Sequence, residues 1–424
     1  MIIKQIIIHL RSNIFIIYIM NKLKLTCALI SLLMSCTNQV KDNEFSNSID
    51  IETGLENLTT LKVSDFGKTI RYVPLETTDD CLIGNNPTIK VLKNHIVVEV
   101  NRRCLLFDKK DGSFISEIGH TGQDPEAFIN PTSWTDEKEE FLYFSQFDKL
   151  IKYDMKGNFA GKTEISKPPG LATSYLFTDK EIIGYYGGMT TVNYNLAFFS
   201  KDGVVQDSLT LLASKLEDAT PENIANLNVK RLPGTKAGVI IINYKNGNRQ
   251  FVFADAVTLW KNNGKTRFRE IFIDTIYTVT NRELIPSIAF KTGKWHWPAK
   301  ESHVESNSND RIFISGVSEN DNFVFFQCIK GFYTDEPVVY NGLYNKIEGT
   351  TKLEKNNDAI QDDMTGFMPF KPLSISTSGE FVNFIDAFTI MEWVAEHPEA
   401  KNNAQLSFLK DFNDEMNPVV VLVE

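Results

Sequence analysis

Histidine, cysteine and paired acids do much of the covalent and proton-transfer chemistry of proteins, and this chain is poor in the first two. Beyond residue 36 it has five histidines, His95, His120, His296, His303 and His397. None lie at the short helical or turn spacings of a zinc site, so no metal and no cofactor is expected. There is no Gly-x-Ser-x-Gly elbow, no His-Glu-x-x-His, no phosphate-cradling Gly-x-x-x-x-Gly-Lys and no Cys-x-x-Cys, and no catalytic residue is assigned. Asp358, Asp362 and Asp363 lack the regular alternation of a calcium loop and read as a solvated acidic loop. Three clusters could meet a ligand. Trp295-His296-Trp297 sets aromatic faces beside an imidazole, the sort of platform on which sugar rings stack. Arg102-Arg103 falls between two apolar strands, in a loop at one rim, and Tyr185-Tyr186 precedes Gly187-Gly188. Against each stands a commoner use, tryptophan as a packing residue between sheets and arginine as a solvated turn charge. Cys81, Cys104 and Cys328 allow one disulfide, with Cys81 and Cys104 nearest in sequence, or three buried thiols.

The sharpest chemical signal is at Cys36. From Met20 the chain reads two lysines, an apolar run from Leu25 to Met34, then Leu33-Met34-Ser35-Cys36. This is a lipobox: a short apolar segment enters the export machinery, Ser35 admits a lipoprotein peptidase, and Cys36 carries acyl chains. The run is shorter than the ~20 residues a membrane span needs. Residues 1–35 are expected to be a lipoprotein signal peptide, with translation starting at Met20 or, alternatively, a two-segment leader that includes residues 1–19. Residues 36–60 form a lipidated tether and lead-in. The address is the cell envelope, as an outer-membrane lipoprotein facing either the periplasm or the outside.

Net charge is -10, and the first 35 residues hold Lys4, Arg11, Lys22 and Lys24 without an acid, so the remainder carries -14. An acidic surface without clustered Lys and Arg excludes nucleic acid as a partner. Aromatic residues are abundant, with 30 Phe, 13 Tyr and 5 Trp, which favours strands over helices.

Those strands repeat. Leu105-Leu106-Phe107 leads to Asp111-Gly112, Leu150-Ile151-Lys152-Tyr153 to Gly157, and Leu196-Ala197-Phe198-Phe199 to Asp202-Gly203. The aromatic stands at 107, 153 and 199, and weaker copies continue the phase at Tyr244 with Gly247 and Phe290 with Gly293. Glycine is needed where a hairpin residue takes positive φ. Units of this length, each unable to bury both faces alone, are the mark of β-propeller blades. Between Asp386 and Phe412 the pattern turns helical, with Phe388, Met391, Val394 and Ala395, then Leu406, Leu409 and Phe412, at helical spacing around Pro398. A short helical hairpin is expected at about 386–413, before a terminal strand Val419 to Val423. That strand and the extended segment Ile70 to Leu75 are expected to close the ring together.

The stretch Gly119-His120-Thr121-Gly122, with Phe128-Ile129-Asn130-Pro131, Leu142-Tyr143-Phe144 and Leu150-Ile151-Lys152-Tyr153-Asp154, resembles an NHL-type propeller repeat. The whole chain resembles the six-bladed β-propeller lipoproteins of Bacteroidota, through Ile70 to Gly84, Asp274-Thr275-Ile276-Tyr277 and Asn417 to Val423. The resemblance implies a fold and an address and lends no catalytic residues. Where NHL-type repeats place an Asp after the central strand this chain has Ser145-Gln146, so no role of that acid carries over.

The expected architecture is all-β, a six-bladed propeller over residues 61–424 with seven blades as the alternative. The expected function is a lipid-anchored binding or scaffolding module for a glycan, peptide or protein partner, anchored to the membrane. The alternative is a channel-centred hydrolase or lyase of the envelope.

Overall fold

In the computed structural model the repeated aromatic and glycine belong to the third strand, and the turn after it, of successive antiparallel sheets. The structure describes residues 47–424 except 166–171, 188–193, 211–219, 232–237, 248, 254–256, 271, 299–300, 302–309, 333, 335 and 356–358. Residues 47–424 form one compact unit. Cys36 and the proposed leader lie outside the described residues, as does Asp358.

The protein is mostly β, and its sheets are arranged in a propeller-like manner. Five meanders of four strands follow the chain, spanning 88–117, 133–164, 174–209, 259–291 and 312–355. The 259–291 sheet gains a fifth strand, Asn47–Asp50, which runs parallel to Glu283–Lys291.

The remaining four-stranded sheet is built from both ends of the chain. Ser374–Ile375, Phe381–Ile385 and Val419–Val423 are joined by Ile70–Pro74, paired antiparallel from Ile70↔Val423 to Pro74↔Val419. The expected closure is therefore present. Val419–Val423 is a continuous apolar run because both its faces are covered. Val419, Val421 and Val423 pack with Leu61, Phe381 and Leu406, whereas Val420 and Leu422 pack with Val73 of their own sheet and with Val98 and Leu105 of the next.

The repeat glycines have a second reason beyond the backbone. Gly112, Gly157 and Gly203 have φ of 79°, 84° and 81°, a region costly to residues with a Cβ. A Cβ there would also meet the carbonyl oxygen of Pro74, Glu117 and Glu164 respectively, each in the last strand of the preceding sheet. The turn is thus seated on its neighbour. The two weaker copies are not equivalents. Tyr244 ends the middle strand of a separate three-stranded sheet, Gly238–Tyr244, and Phe290 lies in a fourth strand, Glu283–Lys291. The three-stranded sheet interrupts the succession, so a spacing near 46 persists there without structural meaning.

That sheet comprises Ile224–Arg231, Gly238–Tyr244 and Arg249–Phe253. The sheets on either side of it in sequence still touch: Leu176, Ile183, Leu196 and Phe198 pack with Leu259 and Phe268. The expected helical hairpin is one α-helix, Ala387–Glu396, followed by two 3-10 segments, Pro398–Asn402 and Ala404–Lys410. Asp386 caps the helix by accepting from Thr389 N at 2.8 Å. Pro398 begins a new segment, having no N–H to continue the old one. Cys81, Cys104 and Cys328 are free and buried in three different clusters, so the expected alternative of a disulfide gives way to three packed thiols. Asp362 is buried rather than solvated, accepting from Tyr72 Oη at 2.9 Å and from the Met364 and Thr365 amides.

Two outcomes follow. Gly203→Ala should lower the melting temperature clearly more than Gly247→Ala, because both sites have positive φ but only the first faces a carbonyl; equal shifts in calorimetry would contradict the seating of the turn. Deleting residues 417–424 removes, among others, the five buried apolar side chains of Val419–Val423, worth ~1.5 to 3 kcal/mol each, against ~5 to 15 kcal/mol for a typical domain. The truncated chain should aggregate, and normal melting would disprove the role given to this strand.

Candidate functional site

An antiparallel four-strand meander puts its first and third turns at one edge and its second turn, with the connection to the next sheet, at the other. At the first edge the turns are short and touch from sheet to sheet. Lys93 N donates to Glu139 at 2.9 Å, Asp179 N to Glu137 at 2.9 Å, and Arg282 meets Glu181 at 3.0 Å. Asn262 donates to Asp321 at 3.2 Å, Asn320 to Gly379 O at 3.0 Å, and Thr377 N to Val91 O at 3.0 Å. The succession passes through all six four-strand units and returns to the first. The other edge carries the long segments: 75–87, 118–132, 210–258 with the three-stranded sheet, 292–311, 356–373 and the insertion 386–418. It is the edge with enough variable surface for a ligand.

All seven candidate residues stand at this second edge, spread over three sheets. Asn101-Arg102 is a tight turn with both residues at positive φ, and Arg102 projects into solvent. Arg103 is held by Glu117 Oε2 (3.0 Å from Nε, 2.7 Å from Nη2) and by Asp80 O at 2.5 Å. Tyr185 donates to Glu270 Oε1 at 2.9 Å, where Asn195 Nδ2 also donates at 2.7 Å. Burial, then the Glu270 charge, pushes the Tyr185 phenol well above its ordinary range. Tyr186 turns inward and packs edge-on to Tyr194.

The Trp-His-Trp cluster divides. Trp297 is 1% exposed, with its ring against Phe272 and Phe313. Trp295 stays partly open, with Lys294 Nζ 4.4 Å and Lys330 Nζ 5.6 Å from its ring centre. His296 Nδ1 is 2.8 Å from Asp274 Oδ2. The two tryptophans therefore do not form one stacking platform: Trp295 ends the 3-10 turn Gly293–Trp295 and packs beside Ile288 and Phe290, whereas Trp297 lies beyond the turn and packs into a separate cluster with Phe313 and Ile329.

The structure adds neighbours that the sequence did not mark. The loop after Gly119 leans on the Arg102 turn through Thr121 Oγ1, which donates to Arg102 O. Within the loop His120 Nε2 and Asp124 Oδ2 are 2.7 Å apart and exposed. Gln146 donates to Asp124 O at 2.8 Å and Ala127 O at 2.6 Å, a task that a carboxylate could not perform. Phe147 follows at the tip of the turn, 67% exposed and at φ 51°, a conformation uncommon for a bulky residue. The only hint in the sequence was an aromatic set between Gln146 and Asp148.

Buried charge lies at the seams between sheets. Glu319, fully enclosed, accepts from Trp260 Nε1 at 2.9 Å, Arg267 at 3.1 Å and Lys346 at 2.7 Å. Burial lowers the Lys346 pKa, the Glu319 charge opposing it. A cleft of about 220 Å³ beside Asp65 and Lys352 is smaller than sites for drug-sized ligands. Among the described residues no group of three or more His, Cys, Asp or Glu stands together as a metal site, and no helix is long and apolar enough to cross a membrane.

Residues 46–424 match the family described as Domain of unknown function (DUF4934). The chain belongs to this family. Its DUF4934 region includes every described element. Among curated protein sequences none matches. A crystal structure described as a "Putative exported protein" from Bacteroides fragilis NCTC 9343 is similar in fold, with TM-score 0.62 and 16% identity over 89% of this chain and 98% of that one. Weaker likenesses are to the RRP9 WD40 repeats (TM-score 0.38, 8% identity, 86% and 99% covered) and to a protein of unknown function from Bacteroides caccae (0.31, 8%, 64% and 83%).

The His296–Asp274 contact gives a pH signature. The hydrogen bond to Asp274, partly offset by burial, raises the His296 pKa above its usual ~6.5. The contribution to stability is complete below that unfolded value and is lost as pH rises through the raised folded-state pKa. Ring-proton NMR should find His296 titrating late in the parent and closer to normal in Asp274→Asn; identical curves would refute the pairing.

Proposed function

We propose that this DUF4934 chain is a lipid-anchored binding module of the cell envelope, a six-bladed β-propeller that engages a glycan, peptide or protein partner at the edge bearing its long segments. One observation carries the reading: from Leu75 onward every long connection lies on one edge, while the other is made of short turns spent on contacts between neighbouring sheets. Six is the number of four-strand units in the succession of turn contacts. The three-stranded sheet 224–253 is then an excursion and not a seventh blade, because the units before and after it pack directly on each other. Arg102, Phe147 and the His120–Asp124 pair, adjacent on two successive units, offer charge, an aromatic surface and hydrogen-bonding groups to a partner. The lipobox ending at Cys36 supplies the anchor, with outer-membrane placement as the address. The description of the Bacteroides fragilis structure points the same way.

Cys36→Ala should abolish incorporation of labelled fatty acid and release the protein from the membrane fraction, and labelling equal to the parent would remove the lipoprotein reading. On an array of glycans and displayed peptides, Phe147→Ala and Arg102→Ala should weaken binding at least tenfold without changing the melting temperature. Ile347→Ala, equally exposed but in a short turn at the opposite edge, should not; the reverse pattern would assign binding to the wrong edge.

A further inference from the structure

An outer strand presents unpaired N–H and C=O groups to solvent, and proteins guard such edges with charge, proline, bulges or short length. Every outermost strand of the six four-strand units is guarded. Phe114–Glu117 carries Glu117, Phe159–Glu164 carries Lys162, Glu164 and a bulge, and Val205–Leu209 carries Asp207. Asn47–Asp50 carries Asp50, Thr350–Lys355 carries Lys352, Glu354 and Lys355, and Ile70–Pro74 carries Arg71 and Pro74.

The three-stranded sheet differs. Its edge strand Ile224–Arg231 is eight residues long and has no charge from Ile224 to Val229. Ala225 to Val229 are all exposed, with Leu227 51% and Val229 75% accessible on one face. The strand is held rigidly from behind, since Val239 and Ile241 of the neighbouring strand pack with Trp297, Phe313 and Ile329. An edge of this length, with its charges confined to Lys230 and Arg231 at one end, has the form that accepts another strand.

We propose that Ile224–Arg231 pairs antiparallel with the same strand of a second copy, joining two three-stranded sheets into one of six across a two-fold axis. The register follows from the strand itself. A bulge between Ile224 and Asn226 distorts its start, leaving the regular part from Asn226 onward. Centring the axis on Asn228 sets Leu227 opposite Val229 of the second copy, and the symmetry repeats the pair. Directly opposed residues share a face, so the two most exposed apolar side chains of the strand cover each other twice. Asn228 then meets Asn228, and no charge opposes its like within the central turn-free segment from 226 to 229. Isologous pairing of this kind needs only one surface that is complementary to itself. The contact area of one strand pair is small, so the dimer is expected to be a weak one in solution.

Sedimentation velocity on the chain from residue 47 onward, which contains every described element, tests this over a range of concentrations. The parent should show a concentration-dependent dimer. Asn228→Lys and Asn228→Glu, each at an exposed position, should keep the parent's circular dichroism and melting yet dimerise roughly fivefold or more weakly, through like charges directly opposed. Mixing the two variants should restore a dimer, now a heterodimer. Should either charge disturb the fold, Val229→Thr retains strand preference and should weaken the dimer by removing the apolar pair. A parent that stays monomeric at its highest soluble concentration, a dimer that persists unchanged in the charged variants, or a mixture no tighter than either variant alone would each overturn the proposal. Binding of an added peptide to the strand by a monomeric parent would assign the edge to another protein instead.

Discussion

The ladder between Ile70–Pro74 and Val419–Val423 is the contact on which the remaining sheets depend. A succession of sheets packed face to face leaves its first and last members with an uncovered face unless the two meet. Here the last sheet is completed by a strand from the start of the chain, so its outermost strand and its three inner ones come from opposite ends of the sequence. Val419–Val423 occupies the third position, paired on both sides, and divides its side chains between two cores. Closure therefore couples the packing of the first and last units.

The N-terminal segment extends that coupling outward. Asn47–Asp50 adds to the 259–291 sheet, and the helix Ile51–Glu56 that follows lies against Leu353 of the 312–355 sheet at Gly54. Thr59 N donates to Leu353 O at 2.8 Å, Leu61 N to Glu354 at 2.8 Å and Val63 N to Gln361 O at 3.0 Å before the chain becomes the closing strand. A strap of fewer than thirty residues thus crosses three consecutive sheets from outside.

Buried charges at the seams act differently from the apolar cores. Glu319 with Arg267 and Lys346, Lys109 with Glu380 at 2.7 Å, and Lys90 with Glu99 at 2.5 Å each link neighbouring sheets or brace a seam. Such pairs add little net stability relative to well-packed apolar residues, but losing one partner leaves a costly buried charge. Their effect is to penalise wrong neighbours, which matters for a protein assembled from similar units. The contrast between the two edges has the same origin. Turns engaged in holding neighbours must stay short, so length accumulates where the chain crosses from one unit to the next, and exposed groups such as Arg102, His120 and Phe147 gather there.

Local sequence determined what depends on neighbours in the chain. The strand repeat, the glycines at 112, 157 and 203, the buried apolar character of Val419 to Val423 and the break of pattern after Asp386 were all legible, because positive φ, period-two burial and helix capping are set within a few residues. The candidate residues were legible only as types. That Trp297 points into a core while Trp295 does not, and that Gln146 must be an amide to satisfy two carbonyls of a loop some twenty residues earlier, depends on contacts from other sheets. The spacing of Tyr244 and Phe290 continued the repeat although the chain had left it for a three-stranded sheet, since a period in sequence does not record which strand pairs with which. Tertiary structure alone brought Arg102, Tyr185 and His296 to one edge, kept them on separate sheets, and left one side of Ile224–Arg231 unpaired among the described residues: hydrogen-bond pairing between distant segments decides which side chains share a surface.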